Sequence, residues 1–120
     1  MNIEEILPLE VYKKMQNGED MVVLDIREPH ELADIRMSKA LFIPQGHLVS
    51  GNWGTYQGAA NILLENKDRE VVVICRSGYR SLFVSDFLLK SGFSNVKSMK
   101  TGILGWASQS LPVERGVVQL

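Results

Sequence analysis

The side chain best suited to covalent chemistry is the only cysteine, Cys75, and it is followed by Arg76-Ser77-Gly78-Tyr79-Arg80. Thiolate is the nucleophilic form of cysteine, and a nearby cation or helix N-terminus favours it over the thiol. Arg76 and Arg80 supply two permanent positive charges here, and Ser77 and Ser81 supply two hydroxyls. Gly78 tolerates backbone angles that other residues avoid, so the segment can curl with several N–H groups turned inward. Such a curl binds anions. A helix starting just beyond it adds free N–H groups and the positive end of its dipole. The loop therefore suits attack by Cys75 on an anionic substrate and retention of an anionic product on the sulfur. A lone cysteine beside an apolar run is more often a small core residue, but Arg-Ser-Gly-Tyr-Arg directly after it has no packing rationale.

Other chemically capable residues read more plainly. Asp25 and Arg27 close an apolar run and are expected to form a structural pair supporting the site. Trp106 reads as core packing. Trp53 and Tyr56 lie in a Gly-rich stretch, where a packing role and a place at a pocket mouth are both open. His30 and His47 are single, lack metal-ligand spacing and read as surface residues. Lys67-Asp68-Arg69-Glu70 reads as a solvated turn. One cysteine excludes an intramolecular disulfide, a cysteine-cluster metal site and an internal resolving thiol. Whatever discharges Cys75 must come from another molecule.

The loop needs elements to hold it. Pro8 to Asn17 reads as a helix, with Pro in the first turn, Val11 and Met15 at helical spacing and Gly18 as the stop. Met21-Val22-Val23-Leu24 is short and β-branched at its middle, a buried strand that Asp25-Ile26-Arg27 ends. Pro29 to Ile35 begins a short helix, and Ala40 to Ile43, closed by Pro44, a strand. Gln45 to Gln57 carries Gly46, Gly51 and Gly54 and is expected to be a loop. Ala59 to Asn66 is a helix, and Val71-Val72-Val73-Ile74 is continuously apolar, as a central parallel strand should be. Ser81 to Lys90 is a largely buried helix ending at Gly92, followed by a strand from Asn95 to Met99 and a short helix from Ile103 to Ser108. Alternating strands and helices predict an α/β fold, with a mostly parallel central sheet of about five strands flanked by helices. Sites in such sheets form at the carboxyl ends of the strands, where Cys75 falls.

Composition sets the outer limits. At 120 residues, 45% hydrophobic and 22% charged, the chain reads as one globular domain, residues 1–120. A net charge of −1 argues against a nucleic-acid partner, so attraction for anions must arise from local geometry. No apolar run approaches a membrane span, and Met1-Asn2-Ile3-Glu4-Glu5 lacks the basic segment of a signal peptide. The expectation is a soluble cytoplasmic protein without a membrane partner.

Cys75-Arg-Ser-Gly-Tyr-Arg-Ser81 resembles the active-site loop of the rhodaneses, the thiosulfate and polysulfide sulfurtransferases. Asp25-Ile-Arg27-Glu-Pro29-His-Glu31 is similar to that family's Asp-x-Arg-x-x-x-Glu segment. Thr101-Gly102-Ile-Leu-Gly-Trp106, with Leu111-Pro112-Val113, is similar to its closing Gly-x-x-x-Trp and Pro-Val elements. Asp34-Ile35-Arg36-Met37-Ser38-Lys39-Ala40 departs from the family's Gly-His-Ile-x-Gly-Ala, keeping only Ile and Ala. The resemblance implies a Cys75 persulfide formed from a small anionic sulfur donor held by Arg76, Ser77, Gly78, Tyr79 and Arg80, with Asp25, Arg27 and Ser81 in support. It implies a thiol, cyanide or protein acceptor, and no metal or organic cofactor. A sulfur carrier or a rhodanese-like binding module is the alternative. Cysteine phosphatases also hold a thiolate in an anion-binding loop, but place one residue more between Cys and Arg than the four found here.

Overall fold

Val71 to Ile74, the strongest apolar run, forms the middle of a sheet that is covered on both faces, which is what continuous hydrophobicity requires. The computed structural model describes residues 2–116; residue 1 and residues 117–120, both inside the expected 1–120 range, lie outside the described residues. The strands are β1 (Glu5–Ile6), β2 (Met21–Asp25), β3 (Leu41–Phe42), β4 (Glu70–Ile74) and β5 (Asn95–Met99). All neighbouring pairs are parallel, and the order is β1-β5-β4-β2-β3. The helices are α1 (Pro8–Gln16), α2 (Pro29–Asp34), α3 (Gln45–Ser50), α4 (Gln57–Leu64), α5 (Arg80–Lys90) and α6 (Gly102–Ser108).

Alternation along the strands sorts the core into two layers. Val71, Val73, Cys75, Leu24 and Val96 face one side and pack with Leu48, Leu63, Val84 and Leu88 from α3, α4 and α5. Val72, Ile74, Val23 and Met99 face the other and pack with Val11, Ile103 and Trp106 from α1 and α6. Trp106 is 2% exposed, meets the Tyr12 ring edge-on at 5.9 Å and donates its indole N–H to the Pro112 carbonyl at 2.8 Å. Its expected packing role is what the structure shows. The departing segment Asp34–Lys39 buries Ile35 and Met37, while Arg36 and Glu114 exchange backbone hydrogen bonds of 3.0 and 2.8 Å. No helix of the described residues is long and apolar enough to cross a membrane.

Three expectations need correction. The stretch Gln45 to Gln57 is not a loop: it holds α3, a 3-10 turn at Gly54–Tyr56 and the first residue of α4. Burial of Leu48 outweighs the poor helix propensity of Gly46, and Gly51, at φ +74°, ends α3. The edge strand β1 was not expected, because two residues are too few to show any period. Glu70 does not belong to a solvated turn: it opens β4, with its carboxylate 2.8 and 2.9 Å from Lys14 Nζ and also ion-paired with Lys97. Burial pushes that carboxyl up, but the two lysines overcome it and hold it below its ordinary value.

The strand order places a switch point between β2 and β4: the chain leaves β2 for β3 on one side and β4 for β5 on the other. Crevices at the carboxyl ends of strands open at such points. Asp25 and Ile74 are register partners there, which sets the Asp25-to-Arg27 segment beside the Cys75 loop. Behind that loop, Gly102 has φ +62°, and a Cβ on it would overlap the Cys75 and Arg76 carbonyls. We predict that Gly102→Ala lowers stability by at least about 1 kcal/mol, since both the backbone angle and the space exclude a side chain. A urea midpoint equal to that of the unmodified protein would refute this.

Candidate active site

Cys75 follows β4 directly, and residues 76–79 form the turn into α5. The thiol is 1% exposed, packed over the core layer beneath α5. Its Sγ accepts the Gly78 N–H at 3.1 Å and lies 3.3 Å from Ser81 Oγ. Gly78 has φ +100°, and a Cβ there would press on the Thr101 backbone at 2.9 Å. That angle turns the Gly78 N–H toward the sulfur, and only glycine both adopts it freely and leaves the space clear.

The carbonyls are pulled the other way. Ile103 and Leu104, in the first turn of α6, donate their N–H groups to the carbonyls of Cys75 and Arg76 at 2.9 and 3.1 Å. With those carbonyls engaged outside the ring, the N–H groups of Arg76, Ser77, Tyr79 and Arg80 have no hydrogen-bond partner among the described residues. One N–H, that of Gly78, meets the sulfur, and the neighbouring N–H groups are left unpaired at the start of an 11-residue helix.

The two arginines have separate surroundings. Arg80 makes a two-pronged ion pair with Glu31 of α2, at 2.8 and 2.7 Å, which ties the end of the loop to the neighbouring helix. Arg76 is exposed and has no ion pair or side-chain hydrogen bond among the described residues. Ser77 and Tyr79 are also exposed, Tyr79 to 77%. Asp25 and Arg27, each 2% exposed, form the expected pair: Arg27 Nε and Nη2 meet the carboxylate at 3.0 and 2.8 Å. The same guanidinium donates to the carbonyls of Glu31 and Ile35 at 3.3 and 2.9 Å, and so holds α2 against the end of β2. A buried pair of this kind fixes geometry more than it adds stability, because both ions lose their hydration. Support thus runs from Asp25 through Arg27 and α2 to Glu31, Arg80 and the loop.

Ser81 is fully buried, and its Oγ lies 2.7 Å from Oγ of Ser98 on β5. Ser98 is the residue that sequence reasoning missed. Its signal is a hydroxyl at a position where alternation with Val96 demands a core side chain. Trp53 and Tyr56 pack against the core, with the Tyr56 ring 5.4 Å from Phe42 and 5.0 Å from His47. His47 is partly exposed, with its Nδ1 2.7 Å from the Asn52 carbonyl, and His30 is exposed. Trp53 also lines a depression of about 220 Å³ between α3, α4 and the far end of α5, but that depression includes neither Cys75 nor any loop residue. Among the described residues, no group of three His, Cys, Asp or Glu side chains converges as a metal site would need.

A family profile, described as "Rhodanese-like domain", matches residues 8–109. The chain belongs to the rhodanese-like domain family. A curated relative, a sulfurtransferase of Allochromatium vinosum, is 32% identical over 111 residues, spanning 92% of this chain and 94% of that protein. The thiosulfate sulfurtransferase GlpE of Glaesserella parasuis is 33% identical over 114 residues, 93% of this chain and 94% of its own. Among solved structures, a rhodanese-related protein from Thermoplasma volcanium superposes with a TM-score of 0.73 at 28% identity, covering 92% of this chain and 97% of that one. The α/β fold and the rhodanese-like resemblance read from the sequence are both shown by these matches.

Hydrogen bonds from Arg80 hold the Glu31 carboxyl down to about 2, from an ordinary value of 4.5. The unfolded chain binds this proton more readily, so the pair's contribution to stability is complete above pH 4.5 and fades as pH falls toward 2. Glu31→Gln should therefore be less stable than the unmodified protein at neutral pH and lose less between those limits. Urea unfolding across that range tests this; parallel pH dependences would refute it.

Proposed function

We propose that this rhodanese-like protein is a sulfurtransferase that carries sulfane sulfur as a persulfide on Cys75. The observation behind this reading is a single buried Sγ that accepts the Gly78 N–H at 3.1 Å, in a turn whose other N–H groups have no partner among the described residues. Related chains named sulfurtransferases lend it further support. In the first step, the Cys75 thiolate attacks the outer sulfur of a donor such as thiosulfate, a polysulfide or another persulfide. A bond forms between Sγ and the outer sulfur. The donor's sulfur–sulfur bond breaks, and its electron pair leaves with sulfite, the shortened polysulfide or the thiolate of the donor persulfide. The terminal sulfur of the persulfide then carries the negative charge, and the loop donors receive it. In the second step, a thiolate, cyanide or a protein thiolate attacks that terminal sulfur and departs with it, returning Cys75 as thiolate.

Arg76, exposed at the mouth, is suited to draw in the donor, whereas Arg80 shapes the ring through Glu31. The loop reaches its arginine after four residues, a short turn that fits a single sulfur better than a phosphoryl group with its three oxygens.

Incubation with thiosulfate or polysulfide should add the mass of one sulfur to Cys75, removable by cyanide or a reducing thiol. Cys75→Ser should show neither adduct nor transfer while keeping its fold. Transfer by a pure Cys75→Ser preparation, or aryl phosphate hydrolysis without any adduct, would overturn the proposal. Arg76→Ala should reduce kcat/KM for dianionic thiosulfate by roughly threefold to tenfold, and less for a monoanionic donor. Equal losses for both donors would assign Arg76 a structural role.

A further inference from the structure

Protein interiors are packed about as closely as organic crystals, so a ring-sized space between core residues calls for an account. The depression of about 220 Å³ lined by Trp53 lies at the closing ends of α3, α4 and α5, away from the Cys75 loop. Leu48, Leu63, Leu88 and Phe93, none more than 4% exposed, are its most buried lining residues. Trp53 and Phe87, both half-buried, stand beside them, and the exposed Val49 and Leu64 continue the apolar lining to the surface. Its two lining hydroxyls are already engaged. Ser91 Oγ donates to the Phe87 carbonyl at 2.7 Å, and Ser50 Oγ accepts the Asn52 N–H at 3.1 Å. Water in this space finds few polar partners, and an apolar group that displaces such water gains affinity.

We infer that this depression is a binding site for a small neutral aromatic molecule, one ring with a short substituent. Size sets the first limit. A cavity of about 150 Å³ lined by Leu, Ile and Phe is enough to take up benzene, and the space here is somewhat larger, at about 220 Å³. Trp53, Phe87 and Phe93 offer it aromatic neighbours, which a second ring meets edge-on or offset. Charge sets the second limit. Lys67 is the only charged residue in the lining, with its Nζ 5.9 Å from the centre of the Phe93 ring. The last turns of α4 and α5 also border the space, and they present the negative ends of their dipoles. An anion is therefore drawn by Lys67 and repelled by the helix ends, and a cation meets the reverse. Either ion also gives up hydration among apolar side chains. A neutral ring has no such loss to recover.

The site is separate from the sulfur chemistry. Helix α5 begins at the Cys75 loop, whereas Phe87, Leu88 and Ser91 at its other end line the depression. Binding there does not rest on sulfur transfer, so Cys75→Ser should bind the same ligand with unchanged affinity. Benzyl alcohol, benzoate and benzylammonium carry one ring with no charge, a negative charge and a positive charge at neutral pH. Titration of each into the isotope-labelled protein, followed by the backbone amide resonances, locates the site and ranks the three.

Benzyl alcohol should give saturable shifts in the millimolar range, largest at Trp53, Lys67, Ser91 and Phe93. Benzoate and benzylammonium should each bind at least about threefold more weakly. Trp53→Ala removes one wall and should weaken benzyl alcohol binding by roughly threefold to tenfold. Should that variant not fold, Leu64→Gln at the exposed rim should weaken it by about twofold. Four results would each overturn the inference: no saturable shift, a response centred on the Cys75 loop, an ion that binds as tightly as the alcohol, or unchanged affinity in the folded variant.

Discussion

Peptide groups have two ends, and a loop can turn its N–H groups inward only if something else takes up its carbonyls. In this protein the first turn of α6 does so, through the hydrogen bonds from Ile103 and Leu104 to the carbonyls of Cys75 and Arg76. The contact is close enough that position 102 has no room for a Cβ. Gly78 completes the turn from the other side with its positive φ. The turn that holds Cys75 is thus built from two segments, β4–α5 and β5–α6.

Electrostatics follow from the same placement. The chain is slightly acidic as a whole, so its field offers no general attraction for an anion. The start of α5 and the exposed Arg76 both lie at the Cys75 loop. Arg80 is largely committed to Glu31, and Arg27 to Asp25. Those pairs cancel charge but fix position: the buried Arg27 guanidinium spans the end of β2 and the carbonyls of α2, and α2 presents Glu31 to the loop.

What could be read from the sequence was whatever one residue or one period determines. Val71 to Ile74 is apolar without interruption and is the central strand; Pro8 and Pro29 each sit at the start of a helix; Asp25 and Arg27 form the expected pair. The Cys75 loop could be recognised because its residue types make no sense as packing. Elements held by tertiary contacts were hidden. Helix α3 contains Gly46 and exposes Val49 and Ser50, and only the burial of Leu48 against the core keeps it helical. Strand β1 exists by pairing Glu5 and Ile6 with Ser98 and Met99, partners far along the chain. Ser98 was hidden for a similar reason. A serine in a strand is unremarkable until the fold brings it beneath α5 and against Ser81.

The dependence of the loop on α6 also gives the protein an order of assembly. Cys75 precedes Gly102, Ile103 and Leu104 by more than a helix and a strand, and the β4–β2 pairing does not involve them. The parallel partner on the other side, β5, arrives only after α5 has crossed the sheet, and α6 starts after that. Non-local closure of this kind comes late because chain entropy must be lost before the contacts form. The Cys75 loop therefore lacks the groups that take up its carbonyls until α6 is in place. The loop is completed only when α6 has docked.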